Sequence, residues 1–438
     1  MIDMNSSERI VIIGGGHNGL VCAAYLAKAG REVLVLEAHE QVGGMAATRE
    51  FAPGFKSSCA HFSYLLDESI TTELDLAGNG LELAVEGLET IALSEHGKPL
   101  TISADSVEGD GVSPGDQEAY SEYRRFMSKF AAVIGGLHNQ VPPRIRQERD
   151  DLVALGKLAL KIRRMGRADT REFLRIAGIN IYDVLEERFE NRQLKGALSL
   201  DAVLGAFSGP RSNNTVFSAL HRMSGNNAGA AGAVSVPAGG MGAITQALAS
   251  AAVTAGADVR ISSPVKKILM DGMQVSGVEL NDGEQISAGT VISNQDIRTT
   301  ISDMLGARHV EAGFARKVDH VRSAGNAAKL HLALDSLPDF NGVSRDQLGR
   351  RLLIAPSAVY VEQAFNHCKY GEFSAQPVLE MCIPTLHDSN LAPDGKHVLS
   401  AVVQYAPRNL GAGWENGKAA FIEVIMETLS LYAPGIRE

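Results

Sequence analysis

The chain has 438 residues, enough for two or three domains that each bury a core. Its hydrophobic fraction of 45% and charged fraction of 21% are those of an ordinary globular protein, and a net charge of −10 argues against a general nucleic-acid binder. Cys22, Cys59, Cys368 and Cys382 lie far apart and the 12 histidines show no metal-ligand spacing, which excludes a CxxC redox pair and a cysteine-rich zinc site and fits a reducing, cytoplasmic setting.

The opening MIDMNSSERIVII enters a strand almost at once, without the charge pattern of a secretion or import leader. Ile10–Ile13 is wholly apolar, as expected of a strand buried on both faces. Gly14-x-Gly16-x-x-Gly19 follows, then a predicted helix over Leu20–Ala29 stopped by Gly30, then a second apolar strand, Arg31–Glu37, that ends in an acid. Glu37 lies 18 residues beyond Gly19, close to the roughly 20 expected of a dinucleotide-binding unit. Each part has a physical task. Gly14 makes the turn out of the strand, Gly16 lets bare backbone approach a pyrophosphate, and Gly19 lets the helix sit close on the sheet. The helix N-terminus then presents unpaired amides and a partial positive charge to the phosphates, with His17 and Asn18 in the turn before it. Glu37 is placed to accept ribose hydroxyls and to repel a 2′-phosphate. Gln41-Val42-Gly43-Gly44 then supplies a second glycine pair, followed by Met45. This resembles the extended fingerprint of flavoproteins, in which the second pair returns under the FAD pyrophosphate, so the resemblance implies FAD rather than NAD.

Further along, Asp116–Ile134 reads as a helix introduced by Ser113-Pro114-Gly115. Gly156–Ala177 is a basic segment with Leu155, Leu158, Ile162 and Met165 at helical spacing and Lys157, Lys161 and Arg164 on another face. Such a helix is either a solvated face or a contact with an anionic membrane surface near residues 156–167. Phe207, Phe217, Leu220 and Met223 flank Asn213, Asn214 and His221, as lining of an apolar tunnel or as plain core. No charge occurs from Met223 to Ala257, yet the stretch is rich in Gly, Ala, Ser and Asn and is cut by Pro237 and Gly239-Gly240, so it reads as closely packed backbone and not as a membrane span. A helix is expected over Met241–Ala255, then a hairpin through Asn281-Asp282-Gly283. Gly411, Gly413 and Gly417 read as a loop and helix start, since no strand with a terminal acid follows them.

Several of these blocks resemble one family. VIIGGGHNGLVCAAYLAKAG, VGG, FAPGF at Phe51–Phe55, Val236–Ile268, Gly277–Asp296 and Pro377–Pro407 are similar to the phytoene-desaturase-like carotenoid and retinoid oxidoreductases, and the last block most to the subgroup called pyridine nucleotide-disulfide oxidoreductase domain-containing protein 2. The subgroup's name implies a disulfide exchange for which the chain has no paired cysteines. The resemblance implies an α/β fold: a Rossmann-type FAD-binding domain, glutathione-reductase-like, with an inserted α+β substrate domain. The FAD domain is expected at 1–75 and 235–305, the substrate domain at 76–234 and 306–438. Family members close with a glycine-rich C-terminal segment over the flavin, and this sequence reaches YAPGIRE at Glu438 without one.

The expected cofactor residues are Gly14, Gly16, His17, Asn18, Gly19, Glu37, Gly43, Gly44 and Met45, with Val265 added by the resemblance, which implies that its backbone meets the adenine. Hydride chemistry on a flavin asks little of side chains, and no evident Ser/His/Asp grouping stands out in the sequence. His61 in Ser58-Cys59-Ala60-His61 aligns with the family segment near the flavin and is the titratable candidate there, either as a proton carrier or as a structural histidine. The expected activity is FAD-dependent hydride transfer on C–C bonds of an apolar small molecule, polyenes of the carotenoid or retinoid kind included, with the electron acceptor unnamed. The alternatives are a flavin amine oxidase of related fold and a cofactor-binding protein without turnover.

Overall fold

The computed structural model describes residues 8–138, 149–225 and 231–438. The chain divides into two compact units, one of Met1–Phe62, Glu68–Ala84 and Val236–Ser323, the other of Ser63–Asp67, Val85–Ser235 and Ala324–Glu438.

The first unit is built on a four-stranded sheet in the order Asp258–Arg260, Val33–Leu36, Ile10–Ile13, Thr290–Ser293, with parallel pairings throughout. All four residues of Ile10–Ile13 are buried, which is why that strand carries an unbroken apolar run rather than an alternating one. Helix His17–Lys28 packs against helix Gly242–Thr254. Both bury alanines, Ala23, Ala24 and Ala27 on one and Ala247, Ala251 and Ala252 on the other, and small side chains let helix backbones approach. The first helix starts at His17, three residues before the expected Leu20, because Gly16 is its extended N-cap. Thr48 fixes the start of the second: its Oγ1 accepts the Gly242 amide at 3.1 Å. That helix has 13 residues, and among the described residues no helix is long and apolar enough to cross a membrane. Val265–Asp271, Gln274–Leu280 and Gln285–Ser287 form an antiparallel sheet, turning at Gly283 with φ +91°.

The second unit holds a seven-stranded sheet in the order Ala327–Leu334, His397–Gln404, Val378–Cys382, Arg351–Ile354, Thr90–Ala92, Leu100–Ile102, Val107–Glu108. Alternation along Arg351–Ile354 sorts its two faces: Leu352 and Ile354 join a core that includes Phe421, Ile425 and Leu429 of helix Trp414–Tyr432, while Leu353 joins a larger helical core. That larger core draws on helices Pro114–His138, Ile181–Glu186, Arg192–Val203, Thr215–Met223 and Ala358–Lys369. The basic segment is two helices, Arg149–Arg164 and Arg167–Ile176, broken at Gly166 with φ +93°. Leu220 and Met223 pack on the helical core, whereas Phe207 and Phe217 are exposed, so these four do not form one plain core.

One buried ionic network ties this unit together. Arg351, 3% exposed, donates from Nε to Glu380 at 2.6 Å and from Nη2 to Asp201 at 2.5 Å. Arg222 reaches the same two carboxylates and lies 3.7 Å from the Tyr64 ring centroid. The Tyr64 hydroxyl donates to Glu380 at 2.5 Å, and burial raises its pKa far above the ordinary phenol value.

Candidate dinucleotide site

The candidate site stands at the C-terminal edge of the parallel sheet. Ile13 leads into Gly14, whose φ of +99° turns the chain out of the strand. The Gly14 amide donates to Leu36 O at 2.8 Å. The next amide, Gly15, donates to the Glu37 carboxylate at 2.7 Å. Gly16 then caps helix His17–Lys28, which has no side-chain cap and no acid in its first turn. Its leading amides at His17 and Asn18 therefore keep the partial positive charge of a helix start uncompensated by the chain's own side chains.

The second glycine pair comes back to this loop. Gly43 donates its amide to Gly15 O at 2.8 Å and forms a parallel bridge with Gly16. Gly43 and Gly44 have φ of +125° and +56°, a conformation that side-chain-bearing residues adopt at a cost. A Cβ on Gly19 would lie 2.2 Å from Gly14 O, and one on Gly43 2.7 Å from Thr245 Oγ1. These two glycines permit packing. Gly16 differs, for a Cβ there would meet only Asn294 Nδ2 at 3.2 Å, so the protein's own packing does not demand glycine at that position. Bare backbone that the fold does not need, beside an uncapped helix start, fits an approaching phosphate group.

Glu37 is 5% exposed. Besides Gly15 it accepts the His39 amide at 3.0 Å, and its own backbone is held by Arg260 O and by the Ser263 amide. The segment from Arg260 to Ser263 thus runs past Glu37, and Val265 opens the strand two residues later, half-buried against the small core of that sheet. Met45, 76% exposed, sits in the short turn Gly44–Ala46. Its carbonyl accepts the Ala60 amide at 3.2 Å, which ties the His61 loop to the second glycine pair. His61 stacks on Phe62 with ring centroids 5.3 Å apart. The glycines, His17, Asn18, Glu37 and Met45 are therefore gathered at one sheet edge, His61 is linked to that edge by the Met45 turn, and Val265 opens the antiparallel sheet two residues after Ser263, whose amide bonds Glu37 O.

Asn294 and Gln295 were not legible as site residues. They follow strand Thr290–Ser293, and Asn294 donates its amide to Ile13 O at 2.9 Å. Ile10–Ile13 is flanked by Val33–Leu36 on one side and Thr290–Ser293 on the other. The crevice between outgoing chains at such a reversal of strand order is where ligands bind in open α/β sheets. The signal is strand order, and no local sequence pattern prints it. Among the described residues no cluster of three or more His, Cys, Asp or Glu could hold a metal ion.

Comparison with known proteins agrees with this geometry. Residues 19–409 match the family model described as flavin containing amine oxidoreductase. The chain is 31% identical over 458 aligned positions to mouse pyridine nucleotide-disulfide oxidoreductase domain-containing protein 2, covering 98% of this chain and 79% of that protein. It is 26% identical to the lycopene-forming phytoene desaturase of Pantoea ananas, over 97% of this chain and 82% of that one. Among solved structures, an oxidoreductase from Methanosarcina mazei superposes with a TM-score of 0.61 at 18% identity, covering 98% of this chain and 85% of that one. The chain belongs to the flavin-containing amine oxidoreductase family, together with the phytoene-desaturase-like enzymes, and is an FAD-dependent oxidoreductase.

Proposed function

We propose that this enzyme transfers hydride between FAD and a C–C bond of an apolar, polyene-like small molecule. The observation that supports it most is the apposition of two glycine turns, Gly14–Gly16 and Gly43–Gly44, at an uncapped helix start. In this reading Gly14, Gly16, Gly19, Gly43 and Gly44, with the amides of His17 and Asn18, receive the pyrophosphate. Glu37 receives the ribose, and Val265 and Met45 border the cofactor. The flavin supplies a hydride acceptor when bound. In the same reading His61 is the candidate side chain for moving a proton, supported by the bond of its loop to the Met45 turn.

The polyene part of the reading rests on relatives whose names specify phytoene desaturation. The family model, named for amine oxidoreductases, favours a second reading in which the substrate is an amine. We also place the enzyme in the cytoplasm, in peripheral contact with a membrane surface through the basic helix, since long apolar substrates partition into bilayers. Anaerobic bleaching of the bound flavin tests the substrate: bleaching by polyenes and not by amines supports the first reading, the reverse supports the second, and bleaching by neither leaves a cofactor-binding protein without turnover.

A further inference from the structure

Helix Arg149–Arg164 has two apolar sides. Leu158, Ile162 and Met165 pack on the helical core of the second unit. At 3.6 residues per turn the opposite side carries Val153, Gly156 and Leu160, flanked by Leu152 and Arg163 on one edge and by Lys157 and Arg164 on the other. Leu152, Val153 and Leu160 are 57%, 54% and 47% exposed. The next helix adds Arg167, Arg171 and Leu174, the last 65% exposed. The local ion pairs are Lys129–Asp169, Arg175–Glu172 and Arg175–Glu187, and among the described residues none engages Lys157, Arg163, Arg164, Arg167 or Arg171. In a chain of net charge −10, residues 149–177, which span both helices, hold eight basic and four acidic side chains.

We propose that this outward face docks on an anionic lipid bilayer, with Leu152, Val153 and Leu160 entering the boundary between headgroups and acyl chains while Lys157, Arg163 and Arg164 reach the lipid phosphates. The inference rests on the peripheral membrane contact proposed above and adds the face and the lipid charge. The mixture identifies the occupant. A nucleic acid would use the cations and leave exposed leucines without purpose. A subunit contact would concentrate apolar area and deplete lysine at its centre. Only a headgroup surface takes leucine and arginine side by side along one helix, because the long cationic stems lie on apolar ground with their heads in the polar layer.

The test is co-sedimentation of the flavin-loaded protein with phosphatidylglycerol–phosphatidylcholine vesicles and with phosphatidylcholine vesicles alone. The wild type should bind the first and not the second. Arg163→Gln with Arg164→Gln should weaken binding by about 25-fold, roughly fivefold per cation. Leu152→Ser with Leu160→Ser should abolish it while leaving flavin content and melting temperature in place, since neither leucine is in a core. Failure of the wild type to bind anionic vesicles overturns the proposal. So does wild-type binding by the leucine variant, which would mark a general polyanion effect, and so does a wild-type dimer that this variant turns into monomer. If vesicle binding behaves as expected and no apolar compound bleaches the flavin, the docking stands and the substrate reading falls.

Discussion

Glu37 and Gly15 are joined by a buried hydrogen bond, carboxylate to amide at 2.7 Å, which makes the acid at the end of the second strand part of the glycine turn itself. A carboxylate offers about four lone-pair positions. Gly15 and His39 take one on each oxygen, which leaves two positions for the ribose hydroxyls proposed above. Glu37→Ala removes both functions: a hydrogen bond to a charged group contributes about 1.5–3 kcal/mol, and the Gly15 amide is left unpaired. The expected result is a colourless protein with a lowered melting temperature. Glu37→Gln keeps one oxygen acceptor and should retain some flavin. The ratio of flavin to protein absorbance, read beside the melting temperature, checks both.

The glycines of the fingerprint should separate by experiment. Gly16 has φ −73° and ψ 169°, which alanine adopts freely, and a Cβ there would meet only the Asn294 side-chain amide, which needs to shift by a few tenths of an ångström. Gly16→Ala should therefore fold with wild-type stability and bind flavin poorly. Gly19→Ala drives a methyl group into the Gly14 carbonyl and should lower both flavin content and melting temperature. Gly156→Ala is the control: it lies inside a helix with nothing within 4 Å of its Cβ, and should raise stability by up to about 1 kcal/mol without touching the flavin. If Gly16→Ala retains full flavin occupancy, the pyrophosphate assignment fails.

The parallel strand, the helix and the acid were readable in advance because each obeys a local rule: unbroken apolar run, glycine turn, carboxylate at the right distance. The second glycine pair was readable as a turn, and its return under the pyrophosphate was implied by resemblance to other flavoproteins, but its bond to Gly15 O was not. Asn294 was not, since its place follows from a pairing between Ile10–Ile13 and a strand 280 residues later. The start of the first helix was missed because His17, Asn18 and Gly19 show no apolar period, and the break at Gly166 because a single glycine within a helical pattern is ordinary. The network around Arg351 left no trace in sequence. Its members, Tyr64, Asp201, Arg222, Arg351 and Glu380, come from five distant segments and meet only when the second unit forms.

That network should be costly to open. Arg351 and Glu380 have side-chain exposures of 4% and 2%, and removing one partner of a buried pair leaves a charge that water cannot reach, at about 3–5 kcal/mol. Arg351→Met should lower the melting temperature sharply, because Glu380 and Asp201 both lose a partner. The Arg351→Met, Glu380→Leu double variant should lose less than the sum of the two single changes, as a double-mutant cycle by denaturant unfolding would show. Arg437→Met offers the contrast. Its partner Glu423 is in the open, and an exposed pair contributes little.

The last prediction concerns acid. His331 lies on strand Ala327–Leu334 with Nδ1 3.0 Å from Ser400 Oγ. Burial, with the nearby Lys329 charge, lowers its pKa from 6.5 to about 4. In the folded protein the ring stays neutral until about pH 4, whereas in the unfolded chain it takes a proton near pH 6.5. Between those values the unfolded chain binds more protons, so acid favours unfolding across that window and adds nothing further below it. His331→Gln removes the titration and keeps a group able to bond Ser400. The difference in melting temperature between wild type and variant should therefore shift progressively in the variant's favour as pH falls from 6.5 to 4. Burial lowers the pKa values of His221 and His387 as well, but both histidines are present in the two proteins and cancel in the comparison. A difference that stays constant with pH would place the acid sensitivity elsewhere.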